Sequence, residues 1–178
     1  MKRTTMALVM VFGFVGSLSA NDIWEHYRVI SDNAKSGLRA LESASPESLS
    51  ITSADALVKQ YEEVGNTARQ LGREDLYVWT LNNAGYARIV LFKKLVRYDF
   101  ANAAINSLSP KNKERTVLVR ALQIEYIKYK SLLEEALDAL TKAVQDGQYV
   151  ENNTRQWDRI VSNREFAVHS LGFMEEKF

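Results

Sequence analysis

The chain has 178 residues, 46% of them hydrophobic, and a formal net charge of +1. It holds no cysteine and only two prolines, which excludes a disulfide-stapled scaffold and leaves a chain that must be held by an apolar core. The charge is unevenly spread. Residues 21–87 carry six basic and ten acidic side chains, residues 88–130 ten and three, and residues 131–178 five and nine. The basic middle either packs beside the acidic flanks or presents a face to an anionic partner.

The first twenty residues, MKRTTMALVMVFGFVGSLSA, open with Lys2 and Arg3, continue as an apolar run and end in small residues. That is the layout of a secretory signal peptide, and the run falls short of the ~20 residues of a membrane span. Residues 1–20 are therefore expected as an export signal and residues 21–178 as one domain. The expected location is periplasmic or secreted, with no membrane span once the signal is removed. The absence of disulfides fits a bacterial periplasm.

From Asn21 onward every element reads as helix, and no alternating strand pattern or hairpin turn occurs. Ile23, Tyr27, Ile30, Ala34, Leu38 and Leu41 recur at steps of three and four and predict a helix over 22–44. Pro46 then breaks the chain. Ser53 is the expected N-cap of a second helix carrying Leu57, Val58, Tyr61, Val64, Ala68 and Leu71, with Gly72 as its stop. The third helix, about 74–98, contains LYVWTLNNAGYARIVLF. Its apolar residues nearly surround the axis between Ile89 and Leu95, which predicts burial on more than one side. Gly85 in its interior predicts a close helix crossing. Asp99 is the expected cap of a short fourth helix, and Ser109-Pro110 the expected start of a fifth.

The fifth helix is expected to run from Pro110 to Gln145 without a break. At ~1.5 Å per residue it would be ~54 Å long, against a domain diameter of roughly 40 Å. It must bend, project from the domain or pack on a second chain, and the polar interruption Lys128-Tyr129-Lys130 is the natural place for a bend. A last helix starts near Thr154. The expected architecture is all-α, about six helices stacked as antiparallel hairpins with one long helix over 110–145, in an elongated or irregular bundle.

The stretch WTLNNAGYARI followed by YDFANAAINSLSP resembles a tetratricopeptide repeat over residues 76–110. Trp79 and Tyr86 have the family's aromatic spacing, Ala101 and Ala104 resemble the small residues of its second helix, and Pro110 its terminal proline. Asn83 stands where the family has a small residue. The resemblance implies a helical hairpin that binds a peptide through polar residues on its first helix.

Catalytic patterns are absent. There is no Gly-x-Ser-x-Gly elbow, no phosphate-cradling glycine loop and no dinucleotide fingerprint. Glu134, Glu135 and Asp138 read as a solvated helix face. Asp22 with His26, and Glu165 with His169, are acid–histidine pairs four residues apart, and would form a metal site only if the first and last helices met. No nucleic-acid motif is present and no cofactor is implied. The expected function is a non-enzymatic binding or scaffold protein of the bacterial envelope. It would engage a protein or peptide, steered by acidic charge, through Asn83, Tyr86, Arg88, Lys93, Lys94, Arg97, Arg120, Lys128 and Lys130. The alternatives are a helical small-ligand or metal-binding sensor or hydrolase, and a structural homo-oligomer.

Overall fold

A computed structural model describes residues 19–150 and 152–176. The expected export signal lies outside these residues apart from its last two positions. Seven α-helices and no strand occur among the described residues: α1 (Ala20–Ser43), α2 (Asp55–Gln70), α3 (Glu74–Leu95), α4 (Tyr98–Asn106), α5 (Lys113–Lys128), α6 (Lys130–Gln145) and α7 (Thr154–Glu175). The protein is all-α, as its periodicity predicts.

Local chemistry sets most of the ends. α1 opens on a capping box in which Ser19 and Asp22 satisfy each other's backbone amides. α2 closes through Gly72 at φ 66°, with the Arg73 amide donating back to the Ala68 carbonyl. Four ends differ from expectation. α3 stops at Leu95, short of the expected 98. Ser53 does not cap α2: a 3₁₀ turn, Ile51–Ala54, intervenes, and the Ser53 hydroxyl accepts from the Ser50 amide at 2.8 Å. α4 begins at Tyr98, one residue before Asp99, because Arg97 takes a left-handed conformation (φ 51°, ψ 46°) and turns the chain tightly. α5 begins at Lys113 behind Asn112, whose side chain accepts from the Glu114 amide, so Ser109-Pro110 belongs to the preceding loop.

The segment expected as one long helix is two. Tyr129, at φ −115° and ψ 21°, leaves helical geometry and separates α5 from α6 at the polar interruption. The break lets the two halves pack differently: α6 lies on α3 and α7, while α5 lies on α4 and α7. A straight rod could not follow both surfaces of so small a domain.

α3 is the hub. It packs against α1, α2, α4, α6 and α7, and Val78, Ile89, Leu91 and Phe92 on its different sides are fully buried. Each such side chain contributes ~1.5–3 kcal/mol of transfer free energy. This explains why its apolar residues surround the axis. Gly85 sits where α6 crosses: a Cβ there would stand 2.7 Å from Leu140 Cγ and 3.1 Å from the Ala136 carbonyl oxygen. Phe92 meets Tyr126 edge-on at 4.8 Å between ring centroids, which ties α5 to the hub.

Candidate functional site

One partly exposed stripe of α3, interrupted by the buried Val90, lines a row of surface cavities. Leu76, Trp79, Asn83, Tyr86, Val90, Lys93 and Arg97 follow one another in steps of three and four, so they lie along one edge of the helix and its C-terminal turn. They form the floor of three adjoining cavities of about 330, 400 and 510 Å³. The first two share Trp79 and Asn83, and the last two share Glu42 and Tyr86. Together they make a groove. α1 and the turn after it form one wall, with Arg28, Asp32, Lys35, Leu38, Glu42, Pro46 and Glu47; Arg159 and Asn163 of α7 face the middle; Tyr98 and Phe100 of α4 close the far end. From Leu76 to Arg97 the groove runs ~30 Å at ~1.5 Å per residue. That length accommodates about nine residues of extended chain at ~3.3 Å each.

The middle of the groove is polar. Asn82 is 3% exposed, and its side-chain oxygen accepts from Asn163 Nδ2 at 3.0 Å. Its own amide donates to Asn83 Oδ1 over a longer 3.4 Å. The relay fixes the Asn83 carboxamide by its oxygen. The Asn83 amide nitrogen has no hydrogen-bond partner among the described residues, and its carboxamide lines the groove, where it is a free donor. Beside it the Tyr86 hydroxyl donates to Glu42 Oε1 at 3.2 Å. Burial, with the Glu42 carboxylate, holds this hydroxyl's pKa above the usual tyrosine range. Trp79 supplies an apolar surface next to these groups.

The far end is cationic but largely paired. Arg97 donates to Glu47 Oε1 at 2.7 Å and Lys94 to the Ala44 carbonyl at 2.8 Å. Lys93 has no carboxylate partner among the described residues; its ammonium lies 4.2 Å from the Phe166 ring centroid and 5.4 Å from that of Tyr98. A carboxylate arriving here would meet a cation held in place by cation–π contacts.

Five of the residues singled out from sequence thus come together: Asn83, Tyr86, Lys93, Lys94 and Arg97. Four lie elsewhere. Arg88 turns to α6, where Nε meets Glu135 Oε2 at 2.7 Å with its side chain 16% exposed. Lys128 pairs with Glu125 and Lys130 with Glu134 along their own helices, and Arg120 is on the exposed side of α5. Arg88–Glu135 and Arg97–Glu47 join the basic middle of the chain to its acidic flanks. Sequence reasoning missed Glu42, Arg159 and Asn163, for which the only signal was that they are polar residues on apolar-striped helices.

The two acid–histidine pairs do not converge. Asp22 is engaged in the α1 cap, and its hydrogen bonds to Ser19 lower its pKa below the ordinary value. His26 Nε2 instead lies 3.5 Å from Glu63 Oε1 of α2. His169 lines a separate cavity of about 550 Å³ between α4, α5 and α7, together with Arg115, Tyr126 and Phe173. No group of three or more His, Asp or Glu residues among those described is placed to hold a metal ion. No described helix is long and apolar enough to cross a membrane.

Comparison with known proteins returned no match: no family model, no curated protein and no solved structure resembles this chain significantly. The site therefore stands on its own geometry.

Proposed function

We propose that the chain is an exported, non-enzymatic binding protein of the bacterial envelope that holds an extended segment of a partner protein in the α3 groove. The observation that carries this reading is the single stripe from Leu76 to Arg97 lining all three cavities. Asn83 would donate to the backbone of the bound segment, Trp79 would cover an apolar side chain, and Lys93 would receive an acidic one. The resemblance of residues 76–110 to a tetratricopeptide hairpin is in keeping with the same mode, because such units bind peptides through polar residues on their first helices, although Asn83 stands where the family has a small residue. A second reading, a small-ligand protein with its site between helices, is favoured by the 550 Å³ cavity, whose apolar floor is rimmed by Arg115 and His169.

The test is selection from a random peptide library displayed on phage, followed by affinity measurement with the recovered peptides. Asn83→Ala and Lys93→Glu are each expected to weaken binding ~10-fold or more, as loss of a desolvated hot-spot contact does. Binding is also expected to weaken as ionic strength rises from low to physiological. Recovered peptides that bind both variants as tightly as the unchanged protein would remove the groove from the function. Weakening by Arg115→Ala instead would favour the α4–α5–α7 cavity.

A further inference from the structure

Among the described residues the outward face of α5 has no neighbour. Val119, Leu122 and Tyr126 turn inward and are buried, yet Val117, Ile124 and Ile127 are 66%, 59% and 55% exposed. The outermost residues are Glu114, Val117, Ala121, Ile124 and Lys128, at alternating steps of three and four. That is one straight seam along the helix, with the spacing by which two helices pair.

The seam is nearly symmetric about its centre. Glu114 and Lys128 lie seven residues to either side of Ala121, and Val117 and Ile124 lie four and three residues from it. We infer that this face binds the same face of a second copy of the chain, antiparallel, about a twofold axis near Ala121. Reversal brings Glu114 of each copy opposite Lys128 of the other, so one ion pair closes each end. Between them Val117 of each copy meets the Ile124 region of the other. The small Ala121 at the centre lets the two helices approach closely. Such an interface is isologous: one patch serves as both partners. Within one chain Lys128 pairs with Glu125 three residues away, both exposed. An exposed pair of that kind is weak enough for the ammonium to move to Glu114.

A lipid surface fits this face less well. Helices that lie on anionic bilayers keep cations around a charge-free apolar face, whereas here Glu114 stands on the seam and Glu125 beside it.

The experiment is sedimentation equilibrium of the purified protein over a concentration series. A reversible dimer is expected. Ile124→Glu, at an exposed position, is expected to give a monomer with unchanged circular dichroism. Glu114→Lys or Lys128→Glu alone should weaken the dimer ~10-fold or more by placing like charges together. The double exchange Glu114→Lys with Lys128→Glu should restore it. A monomer at every concentration overturns the inference, as does a dimer indifferent to Ile124→Glu, or a double exchange no tighter than the single ones. A monomer that co-sediments with phosphatidylglycerol vesicles would overturn it in favour of a lipid surface.

Discussion

α3 and α5 look alike as sequences and differ as parts of the protein. Both carry apolar residues on nearly every side, so neither has the single stripe that marks α1, α2 and α6. In α3 this has a structural cause: five other helices cover it, and the stripe along the groove mixes Trp79 and the buried Val90 with Asn83, Tyr86, Lys93 and Arg97. In α5, among the described residues, only the side carrying Val119, Leu122 and Tyr126 is covered, and the opposite apolar side is exposed. A helix that is apolar all round therefore signals either complete enclosure or an absent neighbour. Which of the two applies depends on how many elements pack against it.

The largest effect expected from this contrast is on stability. Phe92→Ala in α3 should cost ~3–5 kcal/mol, because its ring is wholly enclosed and leaves a cavity. Ile124→Ala on the outer side of α5, measured at a concentration where the chain is monomeric, should change stability by no more than ~0.5 kcal/mol. Urea unfolding of the two variants checks both. Equal losses would mean that the outer face of α5 is covered within a single chain, which would break the comparison.

Next in size is Arg97, where backbone and side chain pull in opposite directions. Its left-handed conformation is costly for a residue with a side chain, and glycine adopts it freely. Arg97→Gly should therefore raise stability by up to ~1 kcal/mol, after allowing for the loss of the exposed pair with Glu47. It should also weaken binding of a groove peptide with an acidic end. Thermal melting and peptide affinity measured on the same variant would separate the two roles. A variant that loses stability and keeps its affinity would show that Arg97 serves the fold alone.

The smallest effect is alkaline. The Tyr61 hydroxyl, buried between α2 and α1 beneath the near end of the groove, reaches the Ala34 carbonyl only at 3.4 Å. Burial first, then the Glu42 carboxylate, push its pKa from 10.0 up to about 12. The fold thus favours the neutral hydroxyl. This contribution is fully present below pH 10.0 and is lost as pH rises through about 12. Tyr61→Phe should shift neutral-pH stability by no more than ~1 kcal/mol and should flatten the alkaline decline seen in pH-dependent unfolding. An unchanged alkaline slope would place that decline on other tyrosines.

The helical fold was legible because it is encoded locally. Steps of three and four in Ile23 to Leu41 or Leu57 to Leu71, and the left-handed turn at Gly72, need only the chain near them. Ser53 misled because a good capping residue can serve a 3₁₀ turn as well as an α-helix. For the long helix the place of the bend, Lys128-Tyr129-Lys130, was legible, but not that it is a full break, because those residues include no proline or glycine; the break comes with α5 and α6 having different surfaces to cover. Within the groove, Asn83, Tyr86 and the Lys93–Arg97 cluster stood out because they are polar residues on an otherwise apolar helix.

The sequence by itself determined that the protein is helical, that α3 is apolar nearly all round and where most helices end, because periodicity and capping are short-range properties. Only the tertiary structure decided which charges are spent. It turned Arg88 into a partner for Glu135, left Lys93 between two rings, and joined Asn82 and Asn83 to Asn163, a residue 80 positions away from Asn83. It also decided that α3 would be enclosed and α5 exposed. Each outcome depends on contacts between residues far apart in the chain, and periodicity along a single helix carries no information about what lies opposite it.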